Sequence, residues 1–279
     1  MKIPREIEEI LDKTVNFLPK TYYCKDMNFQ KEDLAKRMCK EVNCNAVVVM
    51  PTYNTYTIKK PGFWTDEVGN VIEDLLKIRK NFLGNSLKKI IVVNDGSTDK
   101  TNEVLEDLLE RDKPKKSILR RVDLNELNKG SLQVINLPTH LGFNYAVITG
   151  YEKALEHNPD IIVKMDSDGE TPPIFITELL DNTVKLDATH IHYGSPFAKG
   201  ISSGFFGFRA TKAKVIKQLL PFFKTLFIYP GYEAYASNVD DKLTSILCNT
   251  TSPYRLTQEG REMKIYKICE LDGGVFRVG

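Results

Sequence analysis

The chain has one tryptophan, Trp64, four histidines and five cysteines in 279 residues, and each scarcity closes off a class of chemistry. Cys24, Cys39, Cys44, Cys248 and Cys269 are odd in number, contain no CxxC pair and have no histidine at ligand spacing. Neither a zinc cluster nor a disulfide framework is expected, and a reducing compartment follows. His140, His157, His190 and His192 show no metal spacing, although His190 and His192 would share one face of a strand. No run of about 18 apolar residues occurs, and Met1–Glu9 lacks the apolar stretch of a signal peptide. A cytoplasmic chain without a transmembrane segment is therefore expected, a reading compatible with peripheral membrane contact. Excess charge is lacking too: 39 Lys and Arg stand against 37 Asp and Glu, a formal +2, which does not mark a nucleic-acid-binding protein.

What is present is an alternation of apolar runs and amphipathic stretches. Residues 1–44 read as a helical N-terminal extension: Ile7, Ile10, Leu11, Val15 and Leu18 keep helical spacing, and a second amphipathic run covers about 31–42. At Ala46–Pro51 the composition changes to the β-branched, uninterrupted run of a buried parallel strand. A helix over about Val68–Phe82, a strand at Lys89–Val93 and a helix over about Lys100–Arg111 follow. After a charged insertion at 112–130 come a strand at Leu132–Ile135, a helix at Phe143–Glu156 and a strand at Asp160–Met165. Strands alternating with helices of this length predict an α/β fold, with a mostly parallel central sheet flanked by helices. Beyond it we expect a helix at Ile174–Val184, a strand at His190–Tyr193, a glycine- and aromatic-rich loop at Gly200–Gly207 and a helix at Thr211–Leu220 closed by Pro221.

In such sheets ligands sit past the carboxyl ends of the strands, so the loops after Met50, Val93 and Met165 should line one crevice. Asp166 and Asp168, at i and i+2 after a buried strand and before Gly169, can converge on one hard cation. A divalent ion held there neutralises a diphosphate and improves it as a leaving group. As structure alone, Asp166–Gly169 is a turn that caps the next helix. Asn94–Asp99 has the same double reading: Asp95 can accept hydrogen bonds from a base or ribose, while Ser97 or Thr98 caps the following helix.

Four segments, AVVVMPTYN at Ala46–Asn54, IIVVNDGSTD at Ile90–Asp99, LGFNYAVITGYEKA at Leu141–Ala154 and DIIVKMDSDGETPP at Asp160–Pro173, carry a resemblance in order and spacing. Together, over about residues 45–220, they resemble the family 2 glycosyltransferases of the Rossmann-like GT-A fold. Asp-x-Asp-Gly-x-x-x-Pro, the Gly194–Gly200 run and Gly207–Ala210 look most like the branch with dolichyl-phosphate and polyprenyl-phosphate glycosyltransferases.

The resemblance implies a metal-dependent inverting hexosyltransferase that takes a UDP- or GDP-sugar and passes the sugar to a polyprenyl phosphate, a glycan or a protein. It implies a GT-A domain over 45–230, with a donor half at 45–170 and an acceptor half at 171–230, and a segment at 231–279 packed on the same domain. Pro51, Thr52 and Tyr53 would line the nucleotide pocket, Asp95 would meet the base, and Gly142 would admit the donor close to the backbone. Asp166 and Asp168 would hold Mn2+ or Mg2+, with Ser167 beside them and Arg209 steadying the diphosphate. His140 would stand behind the donor loop. The acceptor hydroxyl needs a base, for which Asp240, Asp241 and Glu233 are candidates, each equally readable as a helix N-terminus suited to its dipole. A phosphate acceptor would need none. Lys212, Arg255, Arg261 and Lys264 read either as phosphate contacts or as solvated surface.

The sequence departs from the family at Asn94, where an aspartate is usual, and at Pro196, where the branch has arginine. A Gln-x-x-Arg-Trp motif is absent and no apolar run is long enough to cross a membrane, so processive synthesis is not expected. Two other classes stay open. A sugar nucleotidyltransferase would need a glycine-rich basic loop after the first strand, where Pro51–Asn54 stands. A non-catalytic nucleotide-sugar-binding protein would bind the donor without turnover.

Overall fold

The apolar runs form the centre of one mixed sheet. The computed structural model describes residues 3–17, 30–56, 68–112, 130–169, 171–187, 190–193, 208–228, 254–258 and 261–266. Strand β1 (Ala46–Thr52) is buried along its whole length, as are the last five residues of β2 (Leu87–Asn94). Successive side chains on a strand point to opposite faces, and the contacts obey that period. Val48 and Met50 of β1, Ile90 and Val92 of β2, and Val163 of β4 (Ile161–Lys164) enter one core. Val47, Val49, Ile91, Val93 and Ile162 enter the other.

Helices close both faces. The first core is covered by α1 (Arg5–Phe17), α2 (Lys31–Met38), α3 (Val68–Ile78), α4 (Thr101–Asp112) and α6 (Phe175–Lys185). The second is covered by α5 (Phe143–Leu155) and α7 (Ala213–Ile228). Each fully buried Ile, Leu or Val contributes about 1.5–3 kcal/mol of burial, so these two layers are the main stabilising term. Gly150 lets α5 approach β1: a Cβ there would meet Val49 Cγ1 at 2.3 Å.

The strand order is β3-β2-β1-β4-β6-β5-β8-β7, with β3 at Leu132–Asn136, β5 at His190–Tyr193, β6 at Arg209–Lys212, β7 at Tyr254–Gln258 and β8 at Arg261–Tyr266. The first four strands are parallel, as expected. β6, β5, β8 and β7 continue the sheet through antiparallel ladders. The chain leaves β1 toward β2 on one side and β4 lies on the other, so a crevice opens beyond the carboxyl ends of β1 and β4.

The N-terminal extension is tied to the α/β domain by charge as well as by apolar burial. Arg37 Nη2 lies 2.6 Å from Glu178 Oε1 on α6, both largely buried. Glu6 Oε1 accepts from Asn81 Nδ2 at 2.6 Å and lies 3.1 Å from Lys80 Nζ. Ile7, Ile10, Leu11, Leu34 and Met38 fill the space between these contacts.

Three expectations are corrected. The helix placed at Thr211–Leu220 begins instead at Ala213, because Arg209–Lys212 is taken up as β6. Pro221 does not close it: α7 runs to Ile228 with Pro221 inside. An interior proline forfeits one backbone hydrogen bond, and here Ile216, Leu219 and Phe223 hold the helix against the sheet on either side of it. The run at 31–42 shortens to α2, which ends at Met38.

Candidate active site

Four loops meet beyond the carboxyl ends of β1, β2, β3 and β4. The β1 loop begins at Tyr53, which is 39% exposed, after the buried Pro51 and Thr52. Asn54 takes a left-handed φ of 49° and its Oδ1 accepts from Thr98 N at 2.7 Å and Asp99 N at 3.3 Å. Ser97 Oγ in turn accepts from Asn54 N at 2.9 Å. The β1 and β2 loops are thereby stitched together through side chains.

The cap of α4 also differs from expectation. Asp99 Oδ1 accepts from Thr101 N at 2.9 Å, while Ser97 and Thr98 are spent on Asn54. Asn94 is buried and its amide is occupied within the fold, Nδ2 donating to Asn136 Oδ1 at 3.0 Å and Oδ1 accepting from Ser97 N at 3.2 Å.

Asp95 is 2% exposed and its carboxylate closes the β3–α5 loop. Oδ1 accepts from Leu141 N at 2.8 Å, and Oδ2 accepts from Gly142 N at 2.9 Å. His140 Nδ1 lies 2.8 Å from the same Oδ2. The His140 ring stacks on Tyr53 with centroids 3.8 Å apart and planes at 19°. The buried carboxylate therefore ties the β2 loop to the β3–α5 loop, and the stacked rings bring in the β1 loop as a wall at the crevice. His140, expected only behind the donor loop, pairs with Asp95 and stacks on Tyr53 and so joins the crevice wall.

Two glycines permit this geometry. Gly96 has φ 66°, and a Cβ on it would lie 2.3 Å from Thr139 C and 2.5 Å from His140 N, both backbone atoms. Gly142, the N-cap of α5, has φ 96° with open space where a Cβ would be. The first is required by contact and conformation, the second by conformation alone.

At the end of β4 the chain turns at Asp166–Gly169, with Gly169 at φ 73°. Asp166 and Asp168 are partly exposed, while Ser167 between them is buried. Lys164 Nζ forms an ion pair with Asp166 Oδ1 and lies 4.6 Å from the centroid of the Phe143 ring at the start of α5. Two carboxylates on a turn are oxygen donors of the kind that a hard divalent ion takes. No cluster of three His, Cys, Asp or Glu occurs among the described residues. Arg209 is 1% exposed and sits in register with Lys164 across the β4–β6 ladder.

The crevice thus brings together Tyr53, Asp95, His140, Gly142, Asp166, Asp168 and the end of β6 that carries Arg209. Asp240, Asp241 and Glu233, and the Gly194–Gly200 run, lie outside the described residues. Lys212 is turned to other use, paired with Asp187. Among the described residues no helix is long and apolar enough to cross a membrane.

No curated protein sequence matches the chain. Among solved structures, TarS 1–349 of S. aureus is 16% identical, with 72% of this chain and 54% of that TarS fragment covered at a TM-score of 0.44. The mannosyltransferase PcManGT from Pyrobaculum calidifontis, in complex with GDP-Man and Mn2+, is 18% identical over 76% and 58% of the two chains at 0.42. Glucosyl-3-phosphoglycerate synthase from Mycobacterium tuberculosis, in complex with UDP, is 15% identical over 75% and 73% at 0.42. The chain thus spans about half the length of the first of these. The sequence profile described as Glycosyl transferase family 2 matches residues 47–255. That match runs from the second residue of β1 into β7, takes in all four loops of the crevice and covers well over half of the chain, which therefore belongs to glycosyl transferase family 2.

Proposed function

We propose that the chain is a metal-dependent inverting glycosyltransferase that transfers one sugar from a UDP- or GDP-sugar. The observation that supports this most is the convergence of Tyr53, the Asp95–His140 pair and the Asp166–Asp168 turn at the β1/β4 switch point. The Tyr53–His140 wall offers an aromatic surface for the base. Asp95 serves the donor by fixing His140 and the first turn of α5, a modified role for a residue first assigned to the base itself. The N-terminus of α5 presents its amides to the same space, where backbone N–H groups and the helix dipole favour an anion.

Asp166 and Asp168 would hold Mn2+ or Mg2+, and the ion when bound would neutralise charge on the diphosphate as it leaves. Asp168 is the more direct ligand, as the family resemblance implies, and one oxygen of Asp166 is engaged by Lys164. Arg209 lends positive charge from β6. Asp240, with Asp241 and Glu233 as alternates, is the proposed base for a hydroxyl acceptor. The match of Asp-x-Asp-Gly-x-x-x-Pro and Gly207–Ala210 to the polyprenyl-phosphate branch makes a polyprenyl phosphate the first acceptor to assay, then glycans and proteins.

The test is release of nucleoside diphosphate from UDP- and GDP-sugars with Mn2+ or Mg2+, with and without acceptor. Donor- and metal-dependent release is expected, falling at least about 100-fold in Asp168→Ala, on the scale of losing one electrostatic stabiliser of the leaving group. Full activity in that variant sinks the metal assignment, and release of pyrophosphate instead would indicate a nucleotidyltransferase.

A further inference from the structure

Strand β4 holds Ile161, Ile162 and Val163, and then Lys164, which is only 2% exposed. An ammonium withdrawn from water is unfavourable unless partners compensate it, and a methionine would fill a similar volume without that cost. The partners are specific. Lys164 Nζ pairs with Asp166 Oδ1 and sits over the Phe143 ring at 4.6 Å. The Asp166 side chain is 28% exposed, so the carboxylate reaches the crevice surface while the ammonium behind it does not. Directly paired residues of an antiparallel ladder share a face, and Lys164 is paired with Arg209, itself buried. Two cations thus lie side by side at the edge of the Asp166–Asp168 turn.

We propose that Lys164 is a resident cation of the diphosphate site. It holds Asp166 in place and gives the site a fixed positive charge that favours a nucleoside diphosphate and opposes a divalent ion. This rests on the donor reading above. In consequence, the nucleotide binds appreciably without metal, and metal alone binds weakly until the nucleotide supplies further negative charge. Phe143 links the ammonium to the first turn of α5, whose Gly142 amide is held by Asp95, so Lys164 also couples the metal turn to the α5 loop.

Lys164→Met tests this, because removal of the charge moves two affinities in opposite directions. Calorimetry measures Mn2+ binding without nucleotide, and UDP or GDP binding in a chelator. Charges within several ångströms at an effective dielectric near ~20 change binding by about tenfold or more. The expected result is Mn2+ bound at least about tenfold tighter by the variant, and UDP or GDP in chelator bound at least about tenfold more weakly. Lys164→Arg should keep the wild-type order of both affinities, and Lys164→Gln, polar and uncharged, should repeat the Met result. Affinities that fall together, as from general damage to the fold, or that do not move, overturn the proposal. Wild-type protein that binds neither UDP nor GDP even with Mn2+ refutes the donor reading and this inference with it. Wild-type binding without divergence in the variants refutes this inference alone.

Discussion

Asp95→Asn changes no volume, so its effect reports the hydrogen-bond geometry of the crevice. The carboxylate receives three donors: Leu141 N at one oxygen, Gly142 N and His140 Nδ1 at the other. An asparagine offers one acceptor oxygen. With that oxygen toward Gly142 and His140, its NH2 faces the Leu141 amide, donor against donor, and that buried group costs about 1–3 kcal/mol. The two bonds that remain lose their ionic partner, and charge-assisted bonds are roughly twice as strong as neutral ones. The total is about 3–5 kcal/mol, a large part of the ~5–15 kcal/mol that holds a domain together. At roughly 2 °C or more per kcal/mol for a chain of this size, the melting temperature should fall by about 6 °C or more. Freed from Asp95, His140 and the start of α5 lose their orientation, so UDP or GDP affinity should drop in the same variant. Differential scanning fluorimetry and calorimetry read both. A melting shift under about 2 °C would refute the role of the Asp95 carboxylate as the tie between the β2 and β3–α5 loops.

Two further predictions concern conformation and pH. Gly96→Ala meets both a left-handed φ and backbone atoms at 2.3 and 2.5 Å, whereas Gly130→Ala meets a left-handed φ and only the end of Lys89 at 3.9 Å. The second should cost about 1–2 kcal/mol and the first at least about 2 kcal/mol more, read from urea midpoints; equal costs would refute the close loop approach. Burial tends to raise the Glu6 pKa, but the Asn81 hydrogen bond and the Lys80 ammonium outweigh it and the net shift is downward from 4.5. Because the unfolded chain then binds the proton more readily, this contribution is present above pH 4.5 and is lost as pH falls through the lower folded value. Melting temperatures taken from about pH 6 to pH 3 should show a steeper acid loss for wild type than for Glu6→Gln, and parallel curves would contradict it.

The parallel half of the sheet and the placing of the Asp166–Gly169 turn were legible because they rest on local signals. Ala46–Pro51, Lys89–Val93 and Asp160–Met165 are apolar runs ended by polar turns, and such runs show their burial in composition. Strand β6 was not legible, since Arg209–Lys212 is short and mostly polar and is defined by its ladders with β4 and β5. Strands β7 and β8 extend the sheet only through their pairing with β5 and each other. Pro221 misled because its local penalty is outweighed by apolar packing on residues that follow it. Asp95 and His140 were both noticed, but their bond joins loops 45 residues apart, and nothing local states that the carboxylate holds the β3–α5 loop. Lys164 looked like the end of a strand. Only the pairing with Asp166 and the register with Arg209 give it meaning.

The most direct test of the central claim is an anomalous difference map from crystals soaked with Mn2+ and UDP or GDP. The account predicts a manganese peak at the Asp166 and Asp168 carboxylates, the diphosphate beside it near the start of α5, and the base against Tyr53 and His140. A nucleotide bound elsewhere, such as the cavity of about 460 Å3 between Asn43, Asp160, Thr183 and Lys214 at the opposite end of β4, would contradict it.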